Sequence, residues 1–322
     1  MFLRLWWTEF RDTCISQATR IMKNRKRESK LKIGVTGADG FLGSRILRFY
    51  ARKYEIKGYH HTDMDFTDPE ETETMLKRDC PDILIHTAAI SDVGACEQNP
   101  EHSELVNVDG VRNLAVICQK IGARFLFCSS DQVYTGNGVK EPHREEEALS
   151  PLNVYGRQKV RAEEEAIQVH PDTVALRLSW MFAADFREGK EHGNLIPAIL
   201  HAVRSGQHVK YPVWDYRSIT DVWEVVANLE QMFDAPAGIY NFGSENDKST
   251  YEVVSNFLES AGIPNSMLER NEEAFRECPR NLRMETEKAK HLGVHFLTTE
   301  EALRKLGAEL GYEGNDAKKK RE

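Results

Sequence analysis

Three polar side chains in the middle of the sequence have the types and spacing needed to hand a proton to a carbonyl oxygen. Tyr155 and Lys159 stand four residues apart in Tyr-Gly-Arg-Gln-Lys, so on a helix they share one face. A free tyrosine ionises near pH 10, and an adjacent ammonium that stabilises the phenolate brings it toward useful acid–base chemistry, at about 1.4 kcal/mol per pKa unit. Ser130 closes the run Arg-Phe-Leu-Phe-Cys-Ser-Ser, and its hydroxyl is placed to hydrogen-bond the same carbonyl oxygen.

A second constellation lies near the start. Residues 36–43 read Thr-Gly-Ala-Asp-Gly-Phe-Leu-Gly, with Gly37, Gly40 and Gly43 between a β-rich run and a helical one. Glycines at this spacing permit a tight turn, close approach of backbone to a pyrophosphate, and close helix–strand packing. The helix start adds free N–H groups and a positive dipole for phosphate. The next strand ends in His60-His61, where an Asp or Glu would bind the ribose hydroxyls of NAD. Without that acid a 2′-phosphate is not repelled, and Arg45 or the histidines are candidates to meet it. NADPH is therefore favoured over NADH.

These groups need elements to hold them. The sequence predicts strands over 31–36, 55–59, 82–86, 124–129 and 173–180. Helices begin at Phe41, follow the acidic stretch from Asp68, run from about 101 to 121, and start near Asn153. Strand and helix alternating at this pitch imply βαβ units and a parallel sheet, which binds ligands at the carboxyl ends of its strands. After Trp180 the alternation loosens. Residues 181–220 mix Gly, Pro and aromatics, and helices are expected near 221–233, 249–261 and 298–309, with a short strand Gly-Ile-Tyr-Asn-Phe between the first two. The reading is a basic extension over 1–30, a nucleotide-binding domain over 31–180, a smaller substrate lobe over 181–312 and a charged tail over 313–322. Trp180, ending an apolar strand, reads as core.

Composition fits this picture. The chain of 322 residues has a formal net charge of −8 with 40% hydrophobic residues, which excludes disorder and disfavours nucleic acid or an anionic membrane as partner. The charge is uneven: eight Lys/Arg and three acids lie in the first thirty residues, so a basic head sits on an acidic body. No apolar run approaches membrane-spanning length. Cys14, Cys80, Cys96, Cys118, Cys128 and Cys278 are scattered without a CxxC pair, a reduced-thiol pattern that predicts a cytoplasmic protein with no metal site.

The glycine loop, Asp65 in Met-Asp-Phe-Thr-Asp, Pro81–Ala89, Asn107 in Val-Asn-Val-Asp-Gly, Phe127–Tyr134 and the Tyr155–Lys159 helix together resemble the extended short-chain dehydrogenase/reductase superfamily. Ser130–Gly136, Glu146–Glu164, Ala175–Phe182 and Cys278–Gly293 narrow the resemblance to the dTDP-4-dehydrorhamnose reductases and their relatives, over roughly residues 31–310. The resemblance implies an α/β fold: a Rossmann-like doubly wound parallel sheet with a smaller C-terminal α/β lobe for substrate. It implies an NAD(P)H-dependent oxidoreductase acting on a sugar nucleotide. Ser130 and Tyr155 would bind the sugar ketone, with Tyr155 the proton donor. Lys159 would lower the tyrosine pKa and hold the nicotinamide ribose, and Asn107 would support Lys159 through a proton relay. Gly37, Gly40, Phe41, Leu42 and Gly43 would hold the pyrophosphate, Asp65 would sit by the adenine, and Ala88-Ala89 would line the cofactor. Asp131, Asn194 and Arg217 are the substrate-side candidates, and a homodimer is the expected assembly.

The sequence also departs from the resemblance. The usual Thr-Asp-Tyr is Ser130-Asp131-Gln132, which keeps the hydroxyl. The usual Gln-x-Gly-x-Pro-Thr is Asp215–Thr220, which introduces Arg217, a residue suited to a diphosphate. Two rival readings are a sugar-nucleotide epimerase or dehydratase, disfavoured by Gln132 where a dehydratase wants Glu, and a non-catalytic NADP-binding subunit like the β subunit of methionine adenosyltransferase, which would have no need of the Ser130–Tyr155–Lys159 set.

Overall fold

The computed structural model describes residues 30–185 and 195–311. The basic extension up to residue 29, Cys14 within it, Asn194 and the charged tail lie outside the described residues. Six parallel strands form the central sheet: β1 (Lys32–Thr36), β2 (Glu55–Tyr59), β3 (Ile83–His86), β4 (Arg124–Ser130), β5 (Val174–Leu178) and, far along the chain, β10 (Gly238–Phe242). Their spatial order is β10-β5-β4-β3-β1-β2, so the winding reverses between β1 and β3.

The strands alternate their side chains between two apolar layers, as a sheet covered on both faces must. In β4, Leu126 and Cys128 join the layer under α1 (Phe41–Tyr50) and α6 (Val222–Asn228). Phe125 and Phe127 join the opposite layer, under α3 (Gly110–Ile121) and α4 (Val154–Val169). On β3, His86 is fully buried and hydrogen-bonded to Thr36 on the neighbouring strand at 2.7 Å. Burial holds its pKa down to about 3, so it is a neutral part of the core. The helices start where the sequence supplies caps: Asp68 ahead of α2 (Pro69–Asp79), Asn153 ahead of α4, and capping boxes at Ser249–Glu252 and Thr298–Glu301.

Three sequence expectations change. The helix predicted over 101–121 is broken by a π-helical turn, Leu105–Asp109, which faces Asn107 inward. The strand predicted over 173–180 divides: β5 ends at Leu178, and β6 (Trp180–Phe182) pairs with β9 (Ile219–Asp221). The Gly238–Phe242 strand, assigned above to the substrate lobe, is the edge of the central sheet, paired in parallel with β5. Between β6 and β10 the chain builds part of a second apolar cluster from α5 (Leu195–Arg204), β7 (Val209–Pro212) and β9. The segment after β10 completes it with α7 (Thr250–Ser260), β11 (Leu268–Asn271), which pairs with β7, and α8 (Thr299–Leu310). β8 (Asp215–Arg217) pairs with β12 (Arg280–Leu282) beside it.

Among the described residues no helix is long and apolar enough to cross a membrane. The five described cysteines are all free thiols.

A buried ion pair ties α4 to the sheet. Glu163 on α4, 1% exposed, takes the Arg177 guanidinium of β5 in a two-pronged contact at 2.7 and 3.0 Å, and also accepts from Ser129. Arg177 donates onward to Tyr134 at 2.8 Å, and Tyr134 to Asn241 of β10 at 2.8 Å. Removing one partner of such a pair leaves an uncompensated buried charge. Glu163→Gln is expected to lower unfolding stability in a denaturant titration by about 3 kcal/mol, with the double change Glu163→Met/Arg177→Met costing less than either single change.

Candidate active site

The site lies at the carboxyl ends of β1, β3 and β4, where a cavity of about 660 Å³ opens. On one side it is lined by the glycine turn. Gly37 has φ +69, a left-handed conformation that favours glycine, and a Cβ at Gly43 would stand 2.2 Å from the Gly37 carbonyl oxygen. That contact shows Gly43 working in helix packing, whereas Gly37, Gly40, Phe41 and Leu42 line the cavity. Gly40 caps α1 with no side-chain hydrogen bond, and the first turn carries no acid. The helix start is therefore free for an anion, and these residues fit a dinucleotide pyrophosphate. Ala88 and Ala89, just after β3, line the same cavity.

The remaining cofactor candidates separate. Asp65 is exposed, away from the cavity lining, and its carboxylate accepts from the backbone and hydroxyl of Thr67 at 3.0 and 2.7 Å. Arg45, offered above for a 2′-phosphate, is buried and committed elsewhere: it pairs with Asp185 at 3.0 Å and donates to the Phe41 carbonyl oxygen at 2.7 Å. His61 lines the cavity, and His60 is hydrogen-bonded to Asp39 at 2.8 Å.

Ser130, Tyr155 and Lys159 meet on the opposite wall. β4 carries Ser130 to the end of its strand. Tyr155, Lys159 and Glu163 fall at successive four-residue steps on the buried face of α4, so the ion pair to Arg177 fixes the helix rotation that points the first two at the cavity. Asn153, the helix cap, accepts from Gly156 N at 2.6 Å and donates to Gln132 at 3.1 Å, joining the start of α4 to the loop after Ser130.

Electrostatics here differ from expectation. Lys159 is 1% exposed, donates to the Cys128 carbonyl oxygen at 3.0 Å, and lies 4.7 Å from the Phe127 ring centroid and 5.6 Å from that of Tyr155. Burial pulls its pKa down to about 8. The Tyr155 phenol is pushed above its ordinary value, because burial outweighs the opposing hydrogen bond with Ser130. Tyr155 is thus held in its protonated form and suited to giving a proton. Asn107 is buried, but its carboxamide bonds the Ile90 backbone at 2.9 and 3.0 Å and Gln158 at 3.0 Å. Among the described residues no hydrogen bond joins it to Lys159.

On the substrate side, Asp131 lines the cavity, 2% exposed, with Arg217 at 3.4 Å. Arg217 lies over the Trp180 ring at 4.7 Å, one step back from the cavity wall. Trp180 packs half-buried against the second apolar cluster, as its core reading expects, and also lines the cavity. Arg280 is held bidentately by Asp215 at 2.7 and 2.9 Å, and Asn281 bonds backbone carbonyls, so both brace the lobe. The sequence reading missed Glu163, Arg177 and the Gln132–Asn153 link. The signal available was the acid at the second four-residue step after Tyr155.

The family described as the RmlD substrate binding domain matches residues 31–311. Among characterised proteins, the chain is 27% identical over 77% of its length to the spore coat polysaccharide biosynthesis protein SpsK of Bacillus subtilis, covering 86% of that protein. It is 35% identical to a dTDP-4-dehydrorhamnose reductase of Escherichia coli, over 48% of this chain and about half (52%) of that one. It is 25% identical over 81% of its length to methionine adenosyltransferase 2 subunit beta of Xenopus tropicalis, covering 82% of that protein. Among solved structures it resembles dTDP-4-dehydrorhamnose reductase from Bacillus anthracis in complex with NADP, with a TM-score of 0.77 at 21% identity, over 87% of this chain and 99% of that one.

The two glycines make opposite predictions. Gly43→Ala is expected to abolish nucleotide binding in a fluorescence titration with NADPH and to destabilise the fold, because backbone meets backbone. Gly40→Ala, whose Cβ would lie 3.1 Å from the nearest atom, is expected to fold and to weaken binding by no more than about tenfold.

Proposed function

The chain belongs to the RmlD substrate binding domain family, and we propose that it acts as an NADPH-dependent reductase of a sugar nucleotide, converting the 4-keto group of a dTDP-linked 6-deoxysugar, as in dTDP-L-rhamnose formation, to an alcohol. The observation that carries this reading is the meeting, across one cavity, of an uncapped glycine-rich helix start with Ser130, Tyr155 and Lys159. A bound nicotinamide cofactor supplies the hydride.

The chain's own residues do the rest. Gly37, Gly40, Phe41, Leu42 and the α1 N-terminus would hold the pyrophosphate, and Ala88 and Ala89 line the same cavity. Ser130 orients the ketone oxygen, and Tyr155, kept neutral by burial, gives that oxygen its proton. Lys159 presents a positive charge that helps bind the cofactor ribose and favours the phenolate left after proton transfer. Asn107 supports this wall by fixing the Ile90 backbone. On the far side Arg217, stacked on Trp180, is placed for the substrate diphosphate, beside Asp131. His60-His61 in place of an acid at the end of β2, with His61 lining the cavity, favours NADPH over NADH. A cytoplasmic location and a homodimer complete the proposal.

The second reading is an NADP-binding regulatory subunit, favoured by the likeness, over 81% of this chain, to methionine adenosyltransferase 2 subunit beta. The two part on one measurement, oxidation of NADPH and NADH by the purified protein with dTDP-4-dehydro-β-L-rhamnose. Turnover that falls by about a thousandfold or more in Tyr155→Phe, with NADPH binding unchanged, is expected. Tight NADPH binding without turnover of this or other keto-sugars would instead favour the regulatory subunit.

The pH dependence carries its own sign. Lys159 is charged below its pKa of about 8 and neutral above it, so kcat/KM is expected to fall as pH rises through about 8. Initial rates between pH 6 and 10 measure it, and a rate that holds level to pH 10 would remove Lys159 from this role.

A further inference from the structure

We propose that Asp39, in the glycine turn, sets how far this chain prefers NADPH over NADH: its carboxylate opposes a 2′-phosphate, and His60, paired with it, holds that opposition in check. This deepens the cofactor half of the reductase reading above and rests on it. The end of β2, where an acid would take the ribose hydroxyls of NAD, carries His60-His61 instead. An acid nonetheless reaches that place from the facing turn. Asp39 lies between Gly37 and Gly40, lines the cavity with them, and accepts from His60 Nδ1 through Oδ2 at 2.8 Å. The backbone joins the same two segments, Ala38 N donating to the Tyr59 carbonyl oxygen at 3.4 Å.

A dinucleotide whose pyrophosphate rests on the start of α1 carries its adenosine ribose over the end of the second strand. The Asp39–His60 pair bridges those two points, so the ribose 2′ position falls beside it. The charged and titratable groups facing the pair are few. Asp63 Oδ2 accepts from the His60 backbone at 3.4 Å, His61 lines the cavity next to it, and Asp65 lies beyond His61. Among the described residues that line the cavity, the only lysine or arginine is Lys159, on the opposite wall. Arg45, the nearest cation of α1, is turned to Asp185.

A 2′-phosphate brings close to two negative charges to this rim. It meets a carboxylate with imidazoles alone to balance it, whereas NADH presents a hydroxyl there and meets no such repulsion. Discrimination by a repulsive group is as effective as discrimination by an added contact. His60 is the group that can offset the acid, since it already directs a hydrogen at the carboxylate and an imidazole is the side chain able to take up a further proton near neutral pH. The preference for NADPH that follows from His60-His61 is therefore held down, and NADH is accepted as well. The Asp39 side chain is 77% exposed, so water screens its charge and the effect is several-fold, not thousandfold.

Fluorescence titrations of NADPH and NADH into the full-length protein, with no sugar present, test this. Asp39→Asn keeps the size of the side chain and an oxygen for His60, and is expected to tighten NADPH at least about fivefold while NADH stays within about twofold. The charge-reversing Asp39→Arg should move the ratio further the same way. His60→Gln is expected to weaken NADPH at least about threefold, but by less than about twofold in the Asp39→Asn background, because the charge that His60 answers is then gone. An NADPH-to-NADH affinity ratio indifferent to Asp39→Asn would overturn the assignment. A His60→Gln penalty of equal size in both backgrounds would overturn the pairing and make His60 a direct phosphate ligand. Since only nucleotide binding is read, the identity of the sugar plays no part. Binding of neither nucleotide to the wild-type protein would overturn the cofactor reading and this assignment together, whereas binding of both at a ratio that Asp39 does not move would overturn this assignment alone.

Discussion

The site depends on an ion pair that is not part of its chemistry. Glu163 and Arg177 are both buried, and their contact sets how α4 is rotated against β5. Because Glu163 lies four residues after Lys159 and eight after Tyr155, any other rotation would swing the ammonium and the phenol off the cavity together. The same carboxylate accepts from Ser129, the neighbour of Ser130, so one acid holds both the helix that carries Tyr155 and Lys159 and the strand end that carries Ser130. Buried pairs of this kind add little to stability over an apolar substitute, and fixing a single arrangement is the role the geometry gives this one.

Burial is also what divides labour among the polar groups. It works against charge on Lys159, Tyr155 and Asp131 alike, yet with different results. The lysine is brought near neutrality, the tyrosine is kept protonated, and the aspartate becomes a weaker acid beside an arginine that accepts its charge. Tyr155 and Lys159, whose ordinary ranges nearly coincide, are thus driven apart, the phenol upward and the ammonium downward. The glycine turn on the facing wall contributes the opposite device, an uncapped helix end whose free N–H groups wait for an anion.

Much of this was legible in the sequence because the signals were local. The glycine spacing, the four-residue step from Tyr155 to Lys159 and the apolar runs of β1, β3 and β4 each follow from backbone geometry over a few residues. What escaped depended on partners distant in sequence. Arg45 reads as a free cation until Asp185, 140 residues further on, is seen beside it. Trp180 closes an apolar run, but the chain turns out of the sheet at Ser179 and presents the indole to the cavity. Burial of Tyr155 depends in the same way on the whole surrounding protein, and it raises the phenol pKa above its ordinary value.

The late arrival of β10 has a consequence for how this chain is made. β5 cannot be paired on both sides until Gly238–Phe242 has been synthesised, because that strand alone occupies its outer edge. While the polypeptide emerges from the ribosome, Val174–Leu178 therefore presents an open row of backbone donors and acceptors flanked by apolar side chains, the kind of edge that invites pairing with a neighbouring nascent chain. A fragment cut where the alternating pattern loosens, after Phe182, would keep that exposed edge permanently and lose Asn241, the far end of the buried chain through Tyr134 to Arg177. The nucleotide-binding half is thus an architectural unit but not a severable one, and its solubility in the cell is tied to completion of the lobe segment threaded between its last two strands.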